Sequence, residues 1–160
     1  MEFLVVCLYV DDIIFFSSSQ SMITSFKASM TNQFEMTDLS LLQYFLGLEV
    51  KQGNEGTFHS QKRYAINLLK RFHMESCKPI ATPMNASEKL QKCDGTGEAD
   101  VTLCRSLVGG LNYLTHSRPD LAYCVSIVSR YMQKPTTKHL GAARRILRYV
   151  ARILEFGFWY

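Results

Sequence analysis

The stretch FLVVCLYVDDIIFF, Phe3 to Phe16, places Asp11 and Asp12 side by side in an otherwise almost wholly apolar run. The segments Phe3–Val10 and Ile13–Phe16 are rich in Val, Ile, Phe and Tyr, residues that favour β-strands. Two turn-compatible aspartates between two such segments predict a β-hairpin with both carboxylates at its tip. Because the strands lack polar alternation, we expect both of their faces to be buried.

Two adjacent carboxylates need an explanation because like charges repel. Turn propensity is one explanation, although Asn-Gly or Asp-Gly would supply the same shape without the repulsion. A hard divalent cation is the other, since Mg²⁺ takes oxygen ligands and is commonly held by one or two carboxylates plus substrate phosphates. Two such ions, about 3.5 to 4 Å apart, can clamp the attacking and leaving oxygens of a phosphoryl transfer. The residues alone leave both explanations open.

Composition argues against several classes of protein. The chain has 160 residues and is 47% hydrophobic, which is enough for one domain with a core. Its five cysteines are scattered and include no C-x-x-C pair, so neither a disulfide framework nor a zinc site is expected. Glu2 replaces the basic start of a signal peptide, and the apolar run is too short to span a bilayer. The chain is predicted to be intracellular, in the cytoplasm, the nucleus or both.

Positive charge is concentrated in the last third of the chain. Residues 1–115 carry 10 Lys and Arg against 12 Asp and Glu, whereas residues 116–160 carry 8 against 2. Arg144, Arg148 and Arg152 follow one another at four-residue spacing with Arg145 alongside, which gives one basic stripe on a helix. This asymmetry predicts a polyanionic partner such as nucleic acid, and a merely solvated basic face is the alternative.

The pattern after the first hairpin predicts a helix and a second hairpin. The serines at 17–19 offer N-cap oxygens to a helix with apolar residues at three- and four-residue spacing, which ends near Glu35. The stretch from Leu42 to Val50 is apolar and aromatic, and the turn-rich QGNEG that follows leads into TFHS at 57–60. A second hairpin is therefore predicted.

The rest of the chain is predicted to be mainly helical. One amphipathic helix is predicted within 61–74, and 85–103 is predicted to connect, since it holds few large apolar side chains. Of three further helices, one ends before Pro119, the next begins there, and Thr136 or Thr137 caps the third. The third helix is predicted to bury Leu140, Ala143, Ile146, Leu147 and Val150. The predicted fold class is α+β.

Two further residues are predicted to have structural roles. Arg118 precedes Pro119 and Asp120, and we expect it to pair with a neighbouring helix end. Cys7 lies inside the first strand, where we expect it to pack as a small core residue.

Four blocks, in chain order, resemble the reverse transcriptase of copia-type LTR retrotransposons. LYVDDIIFF at 8–16 is similar to the family's Y-x-D-D palm hairpin, and FEMTDLSLLQYFLGLEV at 34–50 resembles its F-x-M-x-D-L-G-x-x-x-Y-F-L-G-x-E-V block. Residues 60–84 and 104–150 resemble the two blocks that follow. Four collinear blocks are far more specific than Y-x-D-D alone. Ser40 stands where the family has Gly, and Cys104 where it has Tyr.

The resemblance implies roles for residues near the catalytic centre. Asp11 and Asp12 match the family's catalytic pair, which binds Mg²⁺ or Mn²⁺ in the intact polymerase. Tyr9 and Val10 match motif positions near the primer end. Gly47 lies in the block that resembles the support of the primer terminus.

The resemblance also implies a domain order and a partner. A partial polymerase palm is expected over 1–60, the start of the thumb over 61–84, a linker over 85–103, and a helical thumb and connection over 104–160, where a ribonuclease H domain would begin. The partner implied is a template-primer of RNA or DNA. Its predicted contacts are Lys62, Arg63, Lys138, Arg144, Arg145, Arg148 and Arg152.

The predicted function is that of a reverse transcriptase fragment. The resemblance implies a third catalytic aspartate and the fingers upstream of these residues. We therefore expect this chain to be inactive alone and to depend on the missing palm and fingers. Whether the chain binds Mg²⁺ or Mn²⁺ by itself, or only within the intact polymerase, stays open. Two alternatives stay open: a non-catalytic nucleic-acid-binding module, and an unrelated interaction protein whose Asp-Asp is only a turn.

Overall fold

A computed structural model describes residues 2–85 and 89–160 of the chain. Its six strands and five α-helices, with one 3₁₀ turn at Pro119–Leu121, confirm the predicted α+β class. The strands are β1 (Leu4–Tyr9), β2 (Asp12–Ser17), β3 (Tyr44–Phe45), β4 (Leu48–Gly53), β5 (Gly56–Ser60) and β6 (Gly157–Trp159). The helices are α1 (Gln20–Gln33), α2 (Lys62–Arg71), α3 (Val101–Leu114), α4 (Ala122–Ser129) and α5 (Thr137–Arg152). The chain divides into two compact units, one that ends at Leu42 and one that begins at Gln43.

The first unit is an antiparallel hairpin of β1 and β2 followed by α1. Phe15 of β2 packs on Phe26 of α1, with ring centroids 4.9 Å apart. The prediction that the strands are buried on both faces is wrong, because no described residue up to Leu42 is fully buried and Leu8 is 70% exposed. Two strands and one helix provide too few layers to cover both faces of a sheet.

The start of α1 also differs in detail from its prediction. Ser19 is the N-cap residue, as the serine cluster indicated, but its side chain accepts no hydrogen bond from the helix backbone. The Ser19 hydroxyl instead pairs with the hydroxyl of Ser21 at 2.8 Å. The helix end near Glu35 is confirmed, since α1 stops at Gln33.

The second unit begins with an antiparallel sheet in the order β3-β4-β5-β6. The predicted hairpin of β4 and β5 turns at Asn54 and Glu55, between the paired Gly53 and Gly56. The last strand, β6, returns to the sheet and pairs with β5, so that Phe58 lies opposite Trp159. This long-range pairing adds residues that follow α5 to the sheet as an edge strand.

The core of the second unit lies among α2, α3, α4 and α5. The predicted apolar stripe of α5 is buried completely or nearly so, as are the facing residues of the other helices. Helices with one apolar stripe gain stability by burying it against each other, at about 25 cal/mol per Å² of apolar surface. The largest buried side chains are Leu107, Leu111, Leu114, Leu121, Ile146 and Leu147.

Side-chain caps define where the later helices begin. Asp100 accepts a hydrogen bond from the Leu103 N–H at 3.0 Å and so starts α3, three residues inside the segment predicted to be a linker. Thr136 caps α5 as predicted, because its hydroxyl oxygen accepts from the His139 N–H while the Thr136 N–H donates to His139 Nδ1. These caps satisfy backbone donors that a helix leaves without internal partners.

Arg118 has the structural role predicted for it. Its side chain is 4% exposed, pairs with Asp120 at 2.7 Å, and donates to the carbonyl oxygen of Ile153, the C-cap residue of α5. Burial raises the pKa of Asp120, but the hydrogen bond and charge of Arg118 outweigh it and hold that pKa below its usual value. The ion pair thus orients Arg118 within the turn before α4, and the hydrogen bond to Ile153 joins that turn to the end of α5.

The cysteines divide between core and surface. Cys104 and Cys124 are buried, as small core residues would be, whereas Cys7 and Cys93 are exposed. The prediction that Cys7 packs in a core is therefore wrong, for the same reason that the hairpin faces are exposed. No helix in the described ranges is both long and apolar enough to cross a membrane.

Candidate functional site

The tip of the first hairpin differs by one residue from its prediction. Tyr9 and Asp12 pair across the two strands, so the two-residue turn consists of Val10 and Asp11. Val10 adopts a left-handed backbone with φ of 51°, which is costly for a β-branched residue but matches the twist of tight hairpins. The expectation that Asp11 and Asp12 together form the turn is wrong, because cross-strand pairing extends to Asp12.

This register determines where the Asp12 side chain emerges. Side chains alternate between faces along a strand, so Ile13 and Phe15 share one face of β2, and Asp12 and Ile14 share the other. Phe15 contacts Phe26 of α1. The Asp12 side chain therefore projects from the face opposite α1, whereas the Asp11 side chain projects from the turn. Both aspartates are exposed.

The two carboxylates suit a hard divalent cation. They offer oxygen atoms alone, and neighbouring backbone positions bring them to the same end of the hairpin. In residues 2–85 and 89–160 no cluster of three or more His, Cys, Asp or Glu side chains is arranged to hold a metal ion. A site with two protein carboxylates is of the kind that Mg²⁺ completes with water and substrate phosphates.

The predicted primer-supporting residue, Gly47, lies in the tight turn between β3 and β4. Leu46 and Gly47 have φ of 48° and 80°, the pair of left-handed conformations typical of a type I′ turn. The hydroxyl of Tyr113 on α3 donates to the Leu46 carbonyl oxygen at 2.5 Å. A Cβ atom on Gly47 would clash with that hydroxyl oxygen, so a side chain at this position requires Tyr113 to shift.

Tyr113 was not singled out from the sequence. It stacks edge-on against Tyr64 of α2, with ring centroids 4.7 Å apart, and Tyr64 in turn donates to the Gly110 carbonyl oxygen at 3.2 Å. The signal available in the sequence was that Tyr113 lies within the motif block at 104–150, which resembles the family. The contact with Leu46 could not be read from that position, because the two residues are 67 positions apart.

Two predicted nucleic-acid contacts lie at the start of α2. Lys62 forms an ion pair with Glu155, whose side chain is largely exposed. The guanidinium of Arg63 lies 5.9 Å from the ring centroid of Tyr44. The backbone N–H of Arg63 donates to the carboxylate of Glu49. The charge of Lys62 is thus partly neutralised, while Arg63 stays exposed beside an aromatic ring.

The remaining predicted contacts lie along α5. Arg144 and Arg152 are exposed, whereas Lys138, Arg145 and Arg148 are partly buried. The first four residues in chain order, Lys138, Arg144, Arg145 and Arg148, line one groove, and Arg152 is not part of that lining. The structure therefore brings four of the seven predicted contacts together.

Comparison with known proteins decides the family. The family model of reverse transcriptase, an RNA-dependent DNA polymerase, matches residues 1–86, which is more than half of the chain. This chain is a reverse transcriptase family member. The predicted resemblance is thereby confirmed at the level of the family.

Relatives of this reverse transcriptase chain extend the match towards the C-terminus. The retrovirus-related Pol polyprotein from transposon RE1 of Arabidopsis thaliana is 41% identical over 149 residues, 93% of this chain and 10% of the relative. That from transposon TNT 1-94 of Nicotiana tabacum is 33% identical over 158 residues, 93% of this chain and 12% of the relative. An uncharacterized mitochondrial protein of Arabidopsis thaliana is 38% identical and covers 95% of this chain and 63% of its own.

The reverse transcriptase chain is short relative to these polyproteins. It spans about a tenth of the length of the Pol polyproteins that it matches. No solved structure matches it significantly. The roles of Asp11, Asp12, Tyr9, Val10 and Gly47 in the intact enzyme accordingly remain predictions.

Proposed function

We propose that this chain is the C-terminal part of the polymerase region of a copia-type retrotransposon reverse transcriptase. Asp11 and Asp12 would hold Mg²⁺ or Mn²⁺ in the intact enzyme, where the primer 3′ oxygen bonds to the α-phosphorus of the incoming nucleotide as the bond to the β-phosphate breaks and pyrophosphate leaves. The observation that carries the proposal is the exposed pair of adjacent carboxylates at the hairpin tip of a reverse transcriptase family member.

The residues of the hairpin have a positioning role in this mechanism. Bound metal ions stabilise charge on the attacking and leaving oxygens. Pairing with Tyr9 holds Asp12 at the end of β2, and the turn of Val10 and Asp11 places the second carboxylate at the same end of the hairpin. Tyr9, opposite Asp12 in the pairing, is the neighbour that would lie beside the primer end.

Polymerase activity needs more than this chain in our proposal. The nucleotide-binding fingers and a further carboxylate would come from other parts of the intact enzyme, so the 160 residues alone do not extend a primer. The assignment of 1–60 to the palm, 61–84 to the thumb start and 104–160 to the thumb and connection is part of the same proposal. The division into compact units at Leu42 and Gln43 falls inside that palm range.

The basic residues contact the template-primer in this proposal. Lys and Arg neutralise phosphates without reading bases, as a polymerase that copies many sequences requires. The excess of 8 basic over 2 acidic residues across 116–160 supports this role. It also supports the second candidate, a nucleic-acid-binding module without catalysis, which shares the surface but not the metal pair.

Paramagnetic relaxation by Mn²⁺ tests the metal site directly. Amide resonances of Val10 to Ile13 should broaden first as Mn²⁺ is added to the ¹⁵N-labelled chain. An Asp11→Asn, Asp12→Asn double variant should lose that selective broadening. Asp38→Asn is the control, since it removes a carboxylate from the same unit, where Asp38 pairs with Lys27. Broadening that is equal in the double variant and the parent chain would refute the metal role.

A further inference from the structure

A groove beside α5 carries an unusual concentration of positive charge. Its volume is about 510 Å³. Four of its lining residues are basic, namely Lys138, Arg144, Arg145 and Arg148, and the remaining lining residues are uncharged. Within the described part of the chain, no carboxylate lines this groove.

The periodicity of α5 explains why the cations converge. Residues seven positions apart on a helix return to nearly the same face, and residues three or four apart are neighbours, so Arg145 follows Lys138 along one side and Arg148 lies beside Arg145. Gly141 and Ala142 lie between them on that side. A Cβ atom added to Gly141 would meet no atom within 4 Å, so the space beside this lining residue is open.

Neutral acceptors from a preceding segment hold two of the arginines. Arg145 Nη2 donates to the hydroxyl oxygen of Thr82 at 3.0 Å. Arg148 Nε donates to the carbonyl oxygen of Lys78 at 2.8 Å. A backbone hydrogen bond also joins this segment to α5, because the Ile80 N–H donates to the Arg148 carbonyl oxygen. These hydrogen bonds orient the guanidinium groups without neutralising their charge.

One guanidinium nitrogen of Arg145 has no protein acceptor in the described part of the chain. Its Nε atom is buried and has no hydrogen-bond partner among the described residues. Buried donors without acceptors are rare in folded proteins because nothing compensates for their desolvation. A guanidinium that is bound by the neutral Thr82 hydroxyl, in a groove without a carboxylate among its described lining residues, keeps its charge and is the type of group that binds oxyanions.

We infer that this groove binds a phosphate group of the nucleic-acid backbone, an inference that rests on the proposed binding of template-primer. A phosphate presents several acceptor oxygens and negative charge to a lining that is basic and contains no carboxylate among the described residues. The groove is large enough for the sugar attached to that phosphate, and its concave shape distinguishes it from a solvated basic face. Arg152, on the same helix but outside the lining, adds charge without contributing to this pocket.

The test begins with inorganic phosphate alone. In ¹⁵N-labelled full-length chain, at constant ionic strength, the amides of Gly141 and Ala142 should shift saturably as phosphate replaces chloride. Lys138→Gln combined with Arg144→Gln should weaken the binding by about tenfold, since two charge-assisted interactions are removed. Arg130→Gln, at the end of α4 and outside the groove lining, should leave binding within about twofold of the parent chain. No saturable shift, or equal weakening in the control, would overturn the pocket.

A second arm separates the pocket from the proposed function. Duplex affinity is measured against salt for the same variants, and each cation removed from a bound phosphate should lower the magnitude of the log–log slope by about 1. Duplex binding that is unchanged in the double variant overturns the pocket but leaves the proposed function. Phosphate binding without duplex binding keeps the pocket and overturns its nucleic-acid partner.

A third arm distinguishes the sources of phosphate. A 5′-phosphorylated single strand and its 5′-hydroxyl counterpart should compete equally with inorganic phosphate if the group bound is a backbone diester. Preference for the phosphorylated strand would overturn the diester and identify a terminal monoester instead. Vesicles of phosphatidylserine and phosphatidylcholine that compete better than either strand would overturn the assignment to nucleic acid.

Discussion

The Tyr113 hydroxyl on α3 donates a hydrogen bond to the Leu46 carbonyl oxygen at 2.5 Å and thereby fastens the β3–β4 turn to the helical region. The turn carries Gly47, the residue that resembles part of the primer support. A residue of the predicted thumb and connection thus holds a residue of the predicted palm. The stability and position of this turn therefore depend on a side chain that lies far away along the chain.

Tyr113→Phe should destabilise the second unit while leaving its fold intact. The substitution removes one hydrogen bond and leaves the Leu46 carbonyl without this donor, which costs about 1 kcal/mol. Urea unfolding followed by circular dichroism measures the change. Tyr123→Phe is the matched control, because Tyr123 is 74% exposed and removal of its hydroxyl should cost less than about 0.5 kcal/mol. Equal midpoints for the two variants would show that the hydrogen bond contributes nothing.

Gly47→Ala should be more damaging than Tyr113→Phe. The new Cβ would clash with the Tyr113 hydroxyl oxygen, and the left-handed backbone with φ of 80° disfavours alanine as well. We expect the free energy of unfolding to fall by about 2 kcal/mol or more, measured in the same urea experiment.

Gly109→Ala is the control for the glycine substitution. Gly109 lies within α3, and a Cβ there would meet no atom within 4 Å. This variant should be neutral or more stable by about 0.5 to 1 kcal/mol, because alanine is the better helix former. A combined Gly47→Ala, Tyr113→Phe variant should recover part of the stability, since the clashing oxygen is gone. Full additivity of the two effects would contradict the proposed clash.

Arg118→Met should destabilise the helical core because it removes the buried member of an ion pair. The change leaves the Asp120 carboxylate without its charge partner and the Ile153 carbonyl without a donor. We expect a destabilisation of about 2 kcal/mol, less than for a fully buried pair because Asp120 is partly exposed. Arg130→Met removes an equal charge from an exposed position and should cost less than about 0.5 kcal/mol. Similar midpoints in thermal melts of the two variants would argue against the structural role of Arg118.

The hydrogen bond between Asp94 and Thr136 should make the N-terminus of α5 sensitive to acid. Hydrogen bonds from the Thr136 and Thr96 side chains, together with the Thr96 N–H, lower the pKa of Asp94 to about 2. A carboxyl whose pKa is lower in the folded state stabilises that state above its unfolded value, near 3.8, and the contribution disappears as pH falls towards 2.

Stability measured by urea unfolding between pH 2 and 6 checks the role of Asp94. The parent chain should become less stable as pH falls from about 4 to about 2, and Asp94→Asn should flatten part of that decline. Glu98→Gln is the control, because Glu98 and its ion-pair partner Lys134 both have exposed side chains. A decline that is identical in the parent chain and in Asp94→Asn would rule out this hydrogen bond as a source of acid sensitivity.

Helical elements were predictable because their signals are local. Leu140, Ala143, Ile146, Leu147 and Val150 repeat at the helical period, and all of them are buried in α5. Thr136 was predictable as a cap, since its side chain acts on a backbone group three residues away. The hairpins were equally visible as β-rich segments around short turns, although the first turn was misplaced by one residue. Pairing between Tyr9 and Asp12 decided that register, and turn composition alone does not reveal which residues pair.

The sequence by itself determined the reverse transcriptase family, the α+β class, the helical stripes and the position of the two aspartates in one hairpin. Tertiary structure alone decided that the hairpin faces stay exposed, that Tyr113 holds Leu46 and that Lys138, Arg144, Arg145 and Arg148 share a groove. The physical reason is separation along the chain. Periodicity and capping report what neighbouring residues do, whereas burial, clashes and converging charges depend on which distant segments meet.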